Sequence, residues 1–151
     1  MDINDRIRKQ VIADLTAKMN PADGVTTITT FFNGLPSFIE VSSDPLDDEL
    51  GDLPAIAVAL SEGVPIDSDM SEITWSATLL VRIYLMTKTD IDAELDVIGQ
   101  KVLATIGQYY SAHGLLDNCN RSGFEYGRDD EQPWGMLDLL FKVEYIEEVL
   151  Q

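Results

Sequence analysis

Basic residues are scarce in this chain, and cysteine and histidine are nearly absent. Of 151 residues only 10 are Lys or Arg against 27 Asp and Glu, a formal net charge of −17. A surface of that sign repels phosphate, which argues against sequence-reading of nucleic acid and against docking on anionic lipid. The single cysteine, Cys119, has no partner for an internal disulfide and suits a reducing cytoplasm. No run of about 18 apolar residues is present to form a membrane-spanning helix. The opening MDINDRIRKQ carries charges where an export signal needs an apolar segment, so export is not expected.

Catalytic signatures are missing as well. There is no glycine-rich phosphate loop, no G-x-S-x-G elbow, no H-E-x-x-H helix and no C-x-x-C pair. His113 is the one histidine and would have to serve alone as a base; at an expected helix C-terminus it has the plainer role of stabilising exposed carbonyls. Cys119 has no activating neighbour in sequence and reads as a core residue. Asp67 with Asp69, or Asp129, Asp130 and Glu131, could offer hard oxygen ligands to magnesium or calcium. Neither run has the spacing of a calcium loop, and solvated acidic loops are the simpler reading.

What the chain does have is alternation. From Ile73 to Met86, ITWSATLLVRIYLM puts Ile73, Trp75, Ala77, Leu79, Val81, Ile83 and Leu85 on one face. A period of two over so long a run predicts a strand with one dry face. At about 3.3 Å per residue it spans roughly 45 Å and should outrun its neighbours, projecting at one end as a hairpin arm. Trp134 to Glu148 alternates in the same way and is its expected antiparallel partner. Trp75 and Trp134, each opening one of these strands, are expected to pack at the core or its rim.

The remaining elements follow in order. Ile3, Ile7, Val11, Leu15 and Met19 recur every four residues and predict a helix over Ile3–Met19, stopped by Asn20-Pro21. VTTITTFF predicts a strand and SFIEV a shorter one, before an acidic loop from Ser42 to Asp52. AIAVAL, Ala55 to Leu60, predicts a central strand whose alanine face would let a helix approach closely. Glu62 to Glu72 reads as a polar loop. A second helix is predicted from Thr89 to His113, stopped by Gly114, with Gly99 or Gly107 at a close contact or kink. Asn120 to Gly127 is a weaker strand with Phe124 and Tyr126 on one face, followed by the charged turn RDDEQP. The length suits a single domain over residues 1–151. Its expected class is α+β: a twisted, mixed or antiparallel sheet with two helices packed on it.

FFNGLP at Phe31–Pro36, LPAIAVAL at Leu53–Leu60, and DSD leading to the tryptophan strand at Asp67–Trp75 form an ordered set. AELD at Ala93–Asp96, YGRDD at Tyr126–Asp130 and the strand from Trp134 to Tyr145 complete it. Taken together these resemble minor tail protein U, the tail terminator family of lambda-like phages, along almost the whole chain. The Val41 to Gly51 loop is longer than the family pattern. The resemblance implies a structural virion protein and not an enzyme. Such a protein forms a hexameric ring of identical chains that caps the tail tube, halts its polymerisation and presents the head-joining surface. Its partners would be further copies of itself, the major tail tube protein and a head-completion or connector protein. DNA would pass through the ring without specific binding, and no membrane is involved. It would be assembled in the host cytoplasm and reside in the virion tail, in a phage or prophage. Another head–tail joining or tail-completion ring is the neighbouring alternative; a metal-dependent hydrolase using Asp129 and Asp130 is the distant one.

The turn holding Tyr126, Arg128, Asp129 and Asp130 is the expected subunit or tube interface, because a guanidinium can fork onto a carboxylate of an acidic neighbour. No cofactor is expected beyond a divalent cation such as magnesium that aids assembly. Charge generates the first prediction. Self-association should strengthen with salt, since a Debye length of about 8 Å at about 0.15 M screens repulsion between adjacent subunits. Magnesium should act more strongly than sodium chloride of matched ionic strength, by bridging carboxylates of two subunits. Sedimentation checks both, and equal behaviour in the two salts removes the bridging part.

Overall fold

The computed structural model describes residues 2–19, 28, 30–37, 54–86, 90–128 and 134–149. Within them the chain forms α1 (Asp2–Met19), β1 (Thr30–Asn33), β2 (Ala55–Ser68), β3 (Glu72–Met86), α2 (Ile91–Thr105), β4 (Asn118–Arg128) and β5 (Trp134–Glu148). The five strands make one sheet in the order β1-β2-β3-β5-β4. Only β1 and β2 run parallel. The class is α+β with a mixed sheet, as expected from the sequence.

The centre of the sheet is the pairing of β3 with β5. Every residue from Glu72 to Met86 has an antiparallel partner, from Glu148 back to Trp134, without a shift in register. This fixes which side chains share a face. Ala77, Leu79, Val81, Ile83 and Leu85 stand beside Val143, Phe141, Leu139 and Leu137 on the face that both helices cover. α1 contributes Ile7, Val11, Leu15 and Met19, and α2 contributes Leu95, Ile98 and Val102. Gly99 marks the closest approach of α2, since a Cβ there would lie 2.9 Å from Leu137 Cδ2. Gly107, the other expected candidate, has open space around it.

Polar contacts lock α1 against the sheet. Asn33 Nδ2 donates to Asp5 Oδ1 at 2.8 Å and Arg8 Nε donates to Asn33 Oδ1 at 2.5 Å. The buried Tyr145 hydroxyl donates to Asn4 Oδ1 at 2.7 Å.

Three expectations need correction. First, Glu62 to Glu72 is not a loop. β2 continues to Ser68 and pairs with the start of β3, with irregularities between Ser61 and Val64 and between Pro65 and Asp67. These shifts, and exposure of both faces, erase the alternation by which a strand is recognised. Second, no helix covers the alanine face of β2 among the described residues. Ile56 and Val58 meet the helices, while Ala55 and Ala57 pack with Tyr84, Phe32, Met86 and Met136. Third, α2 ends at Thr105 and not at His113. Ile106 leaves helical geometry at φ −97° and ψ 73°, and Gly107 follows. The buried Ile106 prolongs the helical spacing without prolonging the helix. Ala112, His113 and Gly114 all adopt positive φ in the connection that follows, so His113 caps no helix.

Of VTTITTFF, residues 30–32 are strand among the described residues, and β1 runs one residue on to Asn33. Most of SFIEV, the acidic loop from Ser42 to Asp52, and the turn from Asp129 to Pro133 lie outside the described residues.

On the face away from the helices, Arg82 and Asp138 sit directly opposite each other across β3 and β5. They form a forked pair, Nε to Oδ1 at 2.6 Å and Nη2 to Oδ2 at 2.9 Å, with side chains 25% and 16% exposed. The carboxylate, above all, raises the guanidinium pKa. Truncating one partner leaves a largely buried charge alone, so Arg82→Ala should cost about 2–3 kcal/mol in denaturant unfolding. A loss below about 0.5 kcal/mol would mean that solvent replaces the pair.

Candidate functional site

Of the expected interface residues, Tyr126 and Arg128 fall at the end of the edge strand β4, and Asp129 and Asp130 lie outside the described residues. β4 pairs with β5 from Asn118↔Glu144 to Arg128↔Gly135, with one irregularity between Arg121 and Gly123. That register turns Phe124 and Tyr126, opposite Leu139 and Leu137, to the side of the sheet where α2 runs. Their rings meet edge to face at 5.7 Å, and Phe124 is 67% exposed.

β4 reaches across to α2 at three points. The Tyr126 hydroxyl donates to Asp96 Oδ1. Arg128 Nη2 lies 3.0 Å from Asp92 Oδ1, and Arg121 Nη2 donates to the Leu103 carbonyl at 3.3 Å. Asp92 and Asp96 stand one turn apart on α2, outside its buried stripe, and so face the same strand. The hydrogen bond to Asp96 favours the protonated phenol and raises the Tyr126 pKa. Arg128 therefore already holds a carboxylate of its own chain, though that pair stays 59% and 53% exposed. Asp92 and Asp96 were not singled out from sequence as partners of Arg128 and Tyr126. The signal for them is two acids four apart, displaced from the apolar stripe of a helix.

Other candidate groups are engaged in the fold. Asp69 accepts from the Ser71 N–H at 2.7 Å, the Glu72 N–H at 2.9 Å and the Ser71 hydroxyl at 3.0 Å, closing the β2–β3 turn. These donors, led by the Ser71 N–H, hold its carboxyl below the usual range. Asp67 is paired within β2, opposite Thr74. Among the described residues no three His, Cys, Asp or Glu side chains converge as a metal site would require. His113 Nε2 is 3.6 Å from Asp14 Oδ1, and the same carboxylate accepts from the Tyr110 hydroxyl at 2.6 Å. This cluster ties α1 to the α2–β4 connection. Burial pushes the Cys119 thiol up to about 11, the reverse of what a nucleophile needs. Trp75 packs at the rim of the core and donates from Nε1 to Glu147 Oε1 at 3.3 Å.

The fold is a two-helix, five-stranded α+β unit. A chain in the virion of a native gene transfer agent particle matches it with a TM-score of 0.53, over 93% of this chain and 92% of that one, at 13% identity. The family model for phage minor tail protein U matches residues 2–145, and the chain belongs to that family. It is similar to the tail tube terminator protein of Escherichia phage N15, 26% identical over 141 residues, 92% of this chain and 95% of the relative. The tail tube terminator protein of Escherichia phage lambda is 26% identical over 121 residues, 79% and 85% of the two chains.

Removing the Arg128–Asp92 pair should scarcely change folding. Exposed pairs contribute about 0–1 kcal/mol, so Arg128→Ala should unfold within that range of the parent chain. A loss above about 2 kcal/mol would make the pair a structural fastening of β4 to α2.

Proposed function

We propose that this chain is a non-enzymatic phage tail terminator. It assembles in the host cytoplasm as a ring of six on the end of the tail tube, stops tube polymerisation, and offers the surface that the head then joins. The observation that carries this reading is the family match across residues 2–145, supported by two relatives that bear the name tail tube terminator. Charge supports it too. At −17 per chain, a ring presents a strongly negative surface to DNA, which keeps the passing polymer from sticking.

A closed ring needs two different complementary patches on each chain, not one patch paired with itself. The end of β4 is the candidate for one of them. Tyr126 and Arg128 close β4, with Asp129 and Asp130 next in sequence, and the half-exposed Arg128 can donate to a second carboxylate, from the next copy. Phage carrying Arg128→Ala are expected to give fewer rings in electron micrographs and a fraction of overlong tails. Normal tail lengths would remove Arg128 from the interface. A failure of the unsubstituted chain to end tube growth in the same complementation assay would overturn the terminator reading itself.

A further inference from the structure

The family does not say which part of this chain touches the tube, and the strands point to an answer. The outer part of β2, the turn and the start of β3, residues 61–72, are exposed throughout, and the end of β5 pairs beside them. This three-stranded arm holds half of the large apolar side chains left exposed among the described residues. Val64, Ile66, Met70, Ile146 and Val149 belong to it; Leu35, Val97, Tyr109, Phe124 and Tyr126 do not. Apolar surface gathered in one place marks a docking surface.

Its charge is of one sign. Residues 61–77 and 143–149 hold seven carboxylates and no Lys or Arg. At its base an open cleft of about 570 Å³ is lined by Asp2, Glu72, Asp117, Glu147 and Glu148 against a single basic residue, Arg6, so its charge stays predominantly negative. A partner must therefore bring positive charge to an apolar patch. A second copy of this chain is poorly equipped to do so. It brings 27 carboxylates against 10 basic residues, and five of those ten are engaged in its own fold: Arg8 and Lys9 face Asp5, Arg82 holds Asp138, Arg128 holds Asp92, and Arg121 holds a backbone carbonyl.

We infer that the arm is the surface that docks on the end of the tail tube, and that the tube end meets it with basic side chains around an apolar seat. This inference rests on the terminator reading. It separates two interfaces by the sign of their salt response. Contacts between like-charged copies tighten as salt rises, and contacts between the acidic arm and a basic seat loosen.

The test uses tails of the same phage assembled without their terminator, mixed with purified chain. Binding of the unsubstituted chain should fall roughly tenfold or more between about 50 mM and about 300 mM salt. Asp67→Lys, Glu72→Lys and Glu148→Lys together should lower binding roughly tenfold or more at about 0.15 M salt while rings still form. Val64→Thr with Ile66→Thr, which keeps β-branched side chains in the strand, should weaken binding without changing thermal unfolding. Variants that bind tails like the parent, or folded variants that fail to form rings, would overturn the assignment, as would binding that strengthens with salt. An unsubstituted chain that never binds such tails would defeat the terminator reading and this inference with it.

Discussion

Fifteen uninterrupted residue pairs between β3 and β5 determine nearly everything else in this protein. Side chains alternate with a strict period of two, so a slip of one residue would turn Leu79, Val81, Ile83, Leu137, Leu139 and Phe141 away from the helices. The core of α1 and α2 exists only in this register. The same register sets Arg82 against Asp138 on the opposite face. The irregularities in the sheet fall in its flanking pairings, β2 with β3 and β4 with β5, and not in the central one. The local kinks that bulges bring thus fall outside the pairing that carries the core.

The ladder also separates the two ends of the molecule. Arg128 and its turn stand at the start of β5, and the arm stands at its end, about 50 Å away at about 3.3 Å per residue. At one end Arg128 pairs with a carboxylate of α2; at the other the strands themselves carry carboxylates and no Lys or Arg, with Arg6 of α1 the one basic residue in the cleft at their base. A protein that must meet both its own copies and a different partner gains from keeping those contacts apart. Each can then be tuned without disturbing the other.

Much of this was legible in the sequence. β3, β5 and α1 could be placed closely because their apolar faces repeat without a break, and such periodicity is what burial of one face requires. A close contact or kink at Gly99 or Gly107 was likewise expected, and Gly99 makes the contact; the ordered motifs from Phe31 to Tyr145 pointed to the family later matched over residues 2–145. The arm half of β2 was missed because periodicity reports burial, and those residues are not buried within this chain. The end of α2 was misplaced because Ile106 is buried from a non-helical position at a helical spacing. Tyr126 and Arg128 were identified as important, but their partners, Asp96 and Asp92, come from a helix 30 and 36 residues away, a proximity that only the register of β4 on β5 creates.

The uninterrupted ladder has a mechanical consequence. Its hydrogen bonds lie across the strand axis. A pull on the arm along that axis loads many of them at once, in shear. A pull at right angles opens them one after another, like a zip. A body anchored at one end of β5 and gripping a partner at the other is therefore strongest against tension along the line that joins its two contacts, and weakest against peeling from the side.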